Sequence, residues 1–198
     1  MKTGIFGGSF DPIHNGHIQL AEAFVRELSL DRLFIIPTYI PPHKQREGMA
    51  EPRQRLEMCR LAFENSDVIE ISDIEIKRKG ASYTYLTLRE LRDENKNNEL
   101  FLLTGADMFM TIQDWKHPEV IFESAVICAI PRNDDNIEVL KKQGEYLDTL
   151  GARTIISDTC VAPVSSTQIR TLVSERRSIS KFVPRKVEEY IFNNGLYL

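Results

Sequence analysis

Cysteines, repeats and linkers are scarce or missing in this chain of 198 residues. There are three cysteines, Cys59, Cys128 and Cys160, and they form neither a CxxC pair nor a zinc-ligand spacing. We therefore expect reduced thiols in the core rather than a disulfide framework or a zinc site. The chain has no internal repeat, no low-complexity tract and no segment that resembles a linker. Its length suits one domain spanning residues 1–198.

Long apolar runs and an excess of positive charge are missing too. No run of 18 apolar residues exists that could cross a membrane. The first residues lead directly into a short apolar segment rather than into a signal peptide. Lysine and arginine number 25 against 29 acidic residues, so the net charge is −4 and no basic surface for nucleic acid is expected. These absences predict a soluble, cytoplasmic protein that binds neither membranes nor nucleic acids.

Short apolar segments alternate with helical patterns along the whole chain. This alternation predicts an α/β fold with a parallel sheet. The predicted strands are 2–6, 32–37, 68–71, 99–104, 125–130 and 154–156. The predicted helices include 53–63, 84–94, 167–174 and 186–194, with an acidic helix in 133–149 and a short edge element at 74–77. Residues 38–50 form a long polar loop in this prediction.

The segment Gly7–His17, with the sequence GGSFDPIHNGH, is the most informative in the chain. It connects the first predicted strand to a helix with one apolar face, so backbone N–H groups and the helix dipole there favour an anion. Gly7 and Gly8 allow a sharp turn and a close approach of phosphate to the backbone.

His14 and His17 lie three residues apart in this segment. If both occupy the first helical turn, their imidazoles share one face. Two imidazoles at the positive end of a helix are a poor arrangement unless a negative group binds there. The alternative interpretation is a turn with two surface histidines.

A second segment, Val164–Arg170, has the sequence VSSTQIR. It places three hydroxyls at a predicted helix start and an arginine one turn later. Hydroxyls and free N–H groups can hold phosphate oxygens, and the guanidinium can bind two oxygens at once. The alternative is a simple helix N-cap. Two phosphate-compatible helix starts together suit a triphosphate.

Both segments resemble the (H/T)xGH nucleotidyltransferase superfamily. Its members open with G-G/T-S/T-F-D-P-x-H-x-G-H and carry I-S-S-T-x-I-R near the C-terminus, where this chain has Val164 for isoleucine. Further segments are similar to the bacterial nicotinate-mononucleotide adenylyltransferases: Pro41–Lys44, Gly80–Thr84, Gly105–Asp107 and Trp115. One departure is Leu86, where that family commonly has aspartate. The resemblance implies a Rossmann-like open parallel sheet with helices on both faces.

The resemblance also implies an activity. The adenylyl group of ATP would pass to nicotinate mononucleotide, giving deamido-NAD and pyrophosphate in NAD biosynthesis. Two alternatives remain: the same chemistry on nicotinamide mononucleotide or phosphopantetheine, or a nucleotide-sensing protein without catalysis. Mg²⁺ would arrive with ATP, because the sequence shows no carboxylate cage for a metal of its own. An edge element or the C-terminal helix could pair two copies as a homodimer.

By the same resemblance, site residues fall into three groups. The catalytic residues would be His14, His17 and Arg170. The ATP site would comprise Gly7, Gly8, Ser9, Phe10, His14, His17, Gly105, Asp107, Arg132, Ser165, Ser166, Thr167, Ile169 and Arg170. The acceptor site would comprise Gly8, Ser9, Lys44, Tyr83, Thr84 and Trp115.

Several of these assignments have a structural alternative. Trp115, the only tryptophan, either stacks on the pyridinium ring or is an ordinary half-buried aromatic residue. Lys44 either holds the nucleophilic phosphate or is a solvated loop charge. Asp107 either accepts hydrogen bonds from ribose hydroxyls or caps the following helix. A backbone N–H near Thr84 would bind the ring carboxylate.

Overall fold

In the computed structural model, which describes residues 1–42, 48–94, 97–131, 137–159 and 164–198, six strands form one parallel sheet. The strands are β1 (Lys2–Gly8), β2 (Arg32–Pro37), β3 (Ile69–Ile71), β4 (Glu99–Gly105), β5 (Val126–Ile130) and β6 (Thr154–Ile156). Their spatial order is β3-β2-β1-β4-β5-β6, and every neighbouring pair is parallel. This is the strand order of a Rossmann fold, so the predicted fold class is confirmed.

The helices cover both faces of this sheet. They are α1 (Asn15–Leu28), α2 (Pro52–Ala62), α3 (Ile74–Arg78), α4 (Thr84–Glu94), α5 (Ala106–Phe109), α6 (Pro118–Ser124), α7 (Ile137–Thr149), α8 (Ser166–Ser174) and α9 (Arg185–Asn193), with a 3₁₀ helix at Ile112–Asp114. Among the described residues, none of these helices has the length and apolar character needed to span a membrane.

Alternate residues of the central strands enter two separate apolar clusters. In β5, Val126 and Cys128 pack with α1, α2, α8 and α9, whereas Ile127 packs with α4, α5, α6 and α7 on the other face. Both faces of a strand are therefore buried, which explains why the predicted strands read as continuous apolar runs. Cys59 and Cys128 are buried as predicted, and burial raises the pKa of the Cys128 thiol to about 12. Cys160 lies outside the described residues.

Three details differ from the sequence-based prediction. The expected edge element at 74–77 is helix α3, because the backbone N–H groups of Lys77 and Lys79 donate to the carbonyls of Asp73 and Glu75, four residues earlier, rather than to a neighbouring strand. Strand β1 continues through Gly8, which pairs with Pro37. Residues 118–124, for which we had no prediction, form helix α6.

The strand order places a crevice between β1 and β4. From β1 the chain builds outward to β2 and β3, and then returns to the other side of β1 as β4. Connections leave the two neighbouring strands in opposite directions, so a crevice opens outside their carboxyl ends. Those ends are Gly8 and Gly105, each followed by a segment that the sequence analysis predicts to bind nucleotide.

Candidate active site

A cleft occupies this crevice at the carboxyl ends of β1 and β4. Ten of the residues predicted to bind substrates line it: Gly7, Gly8, Ser9, Phe10, His17, Tyr83, Thr84, Gly105, Asp107 and Trp115. They come from the end of β1 and the loop after it, the first turn of α1, the start of α4, the end of β4 with the start of α5, and the residue after the 3₁₀ helix. The fold therefore gathers these ATP and acceptor residues around one cleft, whereas the remaining described ATP residues do not line it: His14, Ser165, Ser166, Thr167, Ile169 and Arg170.

The loop after β1 is shaped by a buried aromatic ring. Phe10 has a left-handed backbone (φ 45°) and is 1% exposed. Its ring lies edge-on to His17, with centroids 5.1 Å apart. A Cβ on Gly8 would stand 3.0 Å from the Phe10 ring, whereas a Cβ on Gly7 would meet nothing within 4 Å. Gly8 is thus required by the close approach of the ring, and Gly7 leaves open space beside the backbone.

His14 and His17 form a stacked pair at the start of α1. Their ring centroids are 3.6 Å apart, with an interplanar angle of 18°. His14 is the N-cap, and its Nδ1 accepts a hydrogen bond from the His17 backbone N–H at 3.3 Å. This contact places the His14 ring proton on Nε2. Two positive charges on stacked rings would repel each other, so the arrangement suits a site that receives an anion.

The segment at the start of α8 contacts the loop after β1 directly. Ser166 Oγ donates to the carbonyl of Pro12 at 3.0 Å, and Arg170 Nη1 donates to the carbonyl of Asp11 at 2.7 Å. A Cβ on Gly16 would lie 3.3 Å from Cβ of Val164. The structure therefore brings together the two segments that the sequence separates by some 150 residues.

The residues of this second segment occupy different environments. Ser165 is the N-cap of α8, and both Ser165 and Thr167 are exposed. Arg170 Nη2 donates to Thr167 Oγ1 at 2.9 Å, which fixes the direction of the guanidinium. Ile169 is 0% exposed and packs in the core, and its N–H donates to the Ser165 carbonyl. The Ile169 side chain therefore packs the helix against the core and does not face the cleft.

A buried polar network beneath the loop was missed in the sequence analysis. Asp11 Oδ1 accepts from the Ala50 N–H at 3.0 Å and from Tyr197 Oη at 2.7 Å. Arg55, 0% exposed, donates to the carbonyls of Ser9 and Ala50 and also to those of Thr38 and Tyr39.

The charges in this network affect one another. Burial lowers the pKa of Arg55, and the Asp11 carboxylate opposes that effect. Burial and the same carboxylate raise the pKa of Tyr197. On the same helix Arg60 is exposed, whereas Arg55 is buried. A signal for Arg55 could have been its position one turn before Cys59 on the apolar face.

The far wall of the cleft carries the predicted acceptor residues. Thr84 is the first residue of α4, and Trp115 is half-buried against the apolar cluster on that face of the sheet. Lys116 Nζ lies 4.5 Å from the centroid of the Tyr83 ring. Tyr39 N–H donates to Ser82 Oγ at 2.8 Å, which ties this wall to the segment after β2.

The remaining predicted residues divide into two groups. Asp107 is exposed in the first turn of α5, whose N-cap is Gly105, so Asp107 is not the capping residue. Lys44 and Arg132 lie outside the described residues. Within the described ranges, no group of three or more His, Cys, Asp or Glu side chains could hold a metal ion. Glu75, which was not singled out in the sequence, is a buried carboxyl group on the cleft wall.

Comparison with other proteins gives matches over nearly the full length. The family described as cytidylyltransferase-like matches residues 5–172. A protein named probable nicotinate-nucleotide adenylyltransferase from Dictyoglomus thermophilum is 39% identical, with 100% of both chains covered. One of the same name from Clostridium tetani is 36% identical over 99% of this chain and 98% of its own.

Among solved structures, a similar fold occurs in Plasmodium falciparum nicotinic acid mononucleotide adenylyltransferase complexed with NaAD. The TM-score is 0.82 at 20% sequence identity, covering 99% of this chain and 97% of that chain. At this identity the similarity concerns the fold.

Proposed function

Because the chain belongs to the cytidylyltransferase-like family, we propose that it is an enzyme that transfers the adenylyl group of ATP to nicotinate mononucleotide. The products are deamido-NAD and pyrophosphate, and the step belongs to NAD biosynthesis. The observation that carries this proposal is the contact of Ser166 and Arg170 with the loop after β1, beside the cleft. The names of relatives that match over the full length support the choice of acceptor.

The reaction is a direct in-line displacement at phosphorus. An oxygen of the mononucleotide 5′-phosphate bonds to the α-phosphorus of ATP, and the bond from that phosphorus to the β-bridging oxygen breaks. Pyrophosphate leaves with the electron pair. The nucleophile is already an anion, so no general base is required, and catalysis consists of orientation and charge stabilisation.

On the ATP side, the two helix starts would divide the triphosphate between them. His14 and His17 would donate to α- and β-phosphate oxygens, while Ser165, Ser166 and Thr167 with Arg170 hold the β- and γ-phosphates. Gly7 and Gly8 would let the phosphates reach the backbone, and Gly105, Asp107 and Arg132 would face the nucleoside. The Phe10 ring packs edge-on against the His17 ring and helps to hold it in position. Mg²⁺ would enter bound to the phosphate oxygens of ATP, which fits the absence of a carboxylate cluster among the described residues.

On the acceptor side, the pyridinium ring would lie on Trp115. The backbone N–H of Thr84, where α4 begins, would bind the ring carboxylate, whereas the Tyr83 N–H already donates to the Ala81 carbonyl at 3.1 Å. The 5′-phosphate would be held by the backbone of Gly8 and Ser9 together with Lys44. The ring and the reactive phosphate would thus be fixed at opposite ends of the acceptor.

The test is a panel of acceptors. Pyrophosphate release should be measured with ATP and, in turn, nicotinate mononucleotide, nicotinamide mononucleotide and phosphopantetheine. We expect the largest kcat/KM for nicotinate mononucleotide. A preference for either other acceptor would contradict the assignment, and tight ATP binding without turnover on any acceptor would favour a nucleotide sensor.

A further inference from the structure

Glu75 is a buried carboxyl group at the acceptor end of the cleft. It lies in α3 and is 5% exposed, yet it lines the cleft together with Ser82, Thr84 and Trp115. Carboxyl groups are rarely buried this completely without full pairing. Its position beside the segment that precedes α4 therefore calls for an explanation.

The two carboxyl oxygens of Glu75 differ in their hydrogen bonding. Its Oε1 accepts from Thr87 Oγ1 at 2.6 Å and lies 3.7 Å from Arg78 Nη2. Arg78 is also engaged elsewhere, because its Nη1 donates to Glu90 at 2.9 Å and its Nη2 to Thr87 Oγ1 at 2.9 Å. Glu75 Oε2 is buried, and no residue in the described part of the chain gives it a hydrogen-bond partner. A buried polar atom without a partner is unfavourable unless a ligand completes it.

The surroundings of Glu75 raise its pKa above the ordinary value of a glutamate. Burial raises the pKa of this carboxyl, and the Thr87 and Ser82 hydroxyls and the Arg78 charge oppose that effect, while Glu90 adds to it. The cleft wall also carries other titratable groups, which are His17, Tyr83, Asp107 and Lys116. Arg78 forms ion pairs with both Glu75 and Glu90, and Glu75 is the more buried of these two glutamates.

We propose that Glu75 determines specificity for the ring substituent, donating a hydrogen bond from protonated Oε2 to the ring carboxylate of the bound mononucleotide. The inference rests on the proposed function, since it requires a nicotinate acceptor. The carboxylate of Glu75 and the ring carboxylate would repel each other if both were ionised in this buried part of the cleft. The two groups therefore share one proton. The binding of nicotinate mononucleotide then takes up a proton from solution. A carboxamide substituent carries no charge and requires no such uptake.

The first test measures protons directly and needs no variant. Binding of nicotinate mononucleotide and of nicotinamide mononucleotide to the full chain is followed by calorimetry at pH 7.5 in buffers of different ionisation enthalpy. The 5′-phosphate is common to both ligands, so its own titration cancels in the difference. We expect nicotinate mononucleotide to take up more protons than nicotinamide mononucleotide, by an amount of up to one proton per site. Equal uptake by the two ligands would overturn the proposal.

The second test uses Glu75→Gln, which keeps the shape of the side chain and cannot ionise. In the unaltered enzyme the ratio of kcat/KM for nicotinate to nicotinamide mononucleotide should fall as pH rises from 6 to 9. The fall should approach about tenfold per pH unit once free Glu75 is ionised. In Glu75→Gln the ratio should be independent of pH, and the additional proton uptake should be lost.

Glu90→Gln is the matched control. Glu90 pairs with the same arginine but does not line the cleft, so this variant should keep the slope of the unaltered enzyme. A slope that survives in Glu75→Gln, or disappears in Glu90→Gln, would overturn the proposal. Failure of the proposed function is a separate result, because the unaltered enzyme would then show no turnover of nicotinate mononucleotide at any pH.

Discussion

The two ends of the cleft are built in different ways. The proposed phosphate end consists of two short continuous segments, Gly7–His17 and Val164–Arg170, and side chains of the second donate to backbone carbonyls of the first. The proposed ring end is assembled from α3, α4 and the residue after the 3₁₀ helix, and Thr87 of α4 donates to Glu75 of α3. In the proposed function, the phosphates, which all these acceptors share, would be held where two segments meet that are each recognisable in the sequence. The ring substituent, which differs between acceptors, would be recognised by groups that only the tertiary structure brings together.

The largest expected effect lies at the phosphate end. His17→Ala should lower kcat by about 10²–10³, by analogy with the loss of one donor to a transition-state anion. The loss should be equal for nicotinate and nicotinamide acceptors, because the phosphates are common to both. Steady-state kinetics with both acceptors measures it, with Gln19→Ala, an exposed position on the same helix, as the control. Nearly full activity would show that His17 only packs on Phe10.

The next effect concerns the buried polar network around Asp11, which lies under the loop after β1. Tyr197→Phe removes the hydroxyl that donates to Asp11 at 2.7 Å. Hydrogen bonds to charged groups contribute about 1.5–3 kcal/mol, so the free energy of unfolding should fall by that amount. Denaturant titration measures the change. Tyr146→Phe, at a tyrosine that is 50% exposed, should leave the stability unchanged, and equal losses in both variants would contradict the role of the buried contact.

A smaller effect is expected at the ring end. Trp115→Ala removes the proposed stacking surface, and aromatic pairs contribute about 0.5–1.5 kcal/mol beyond burial, so KM for the acceptor should rise roughly two- to tenfold. The KM for ATP should stay the same. This split between two Michaelis constants distinguishes stacking from general damage to the fold. An equal rise in both constants would place Trp115 in the support of the whole cleft.

The smallest effect is on stability and comes from Glu75. Because burial raises its pKa in the folded protein, the folded state holds this proton more tightly than the unfolded chain does. Its contribution to stability is therefore present below about pH 4.5, the ordinary value of the group, and is lost as pH rises through the folded pKa. Relative to Glu75→Gln, the unaltered protein should lose stability on going from acid to neutral pH. Denaturation curves across that range measure the difference, and a parallel course of the two proteins would contradict it.

The same contrast explains what could be predicted from the sequence. The α/β fold followed from apolar segments that alternate with helical patterns, and helix 84–94 was predicted with the bounds it has. Helical periodicity could have indicated that Arg55 is buried, but its hydrogen-bond acceptors could not be predicted, because they come from three separate parts of the chain. Helix α3 was missed because Ile74 and Ile76 alternate with polar residues as in a strand. The roles of all the predicted site residues, including Lys44 and Arg132, stay predictions.

The close approach at Gly16 bears on how the molecule can move. A methyl group there would already stand 3.2 Å from His14 Nδ1 and 3.3 Å from Val164, so α1 meets the segment that leads into α8 without a gap that could act as a hinge. Ile169 of α8 is packed in the core and holds that helix in place. We therefore expect the two helix starts that are proposed to bind the triphosphate to keep their relative positions during turnover. Any movement that admits or releases nucleotides would then take place in the opposite wall of the cleft, which carries the proposed acceptor residues.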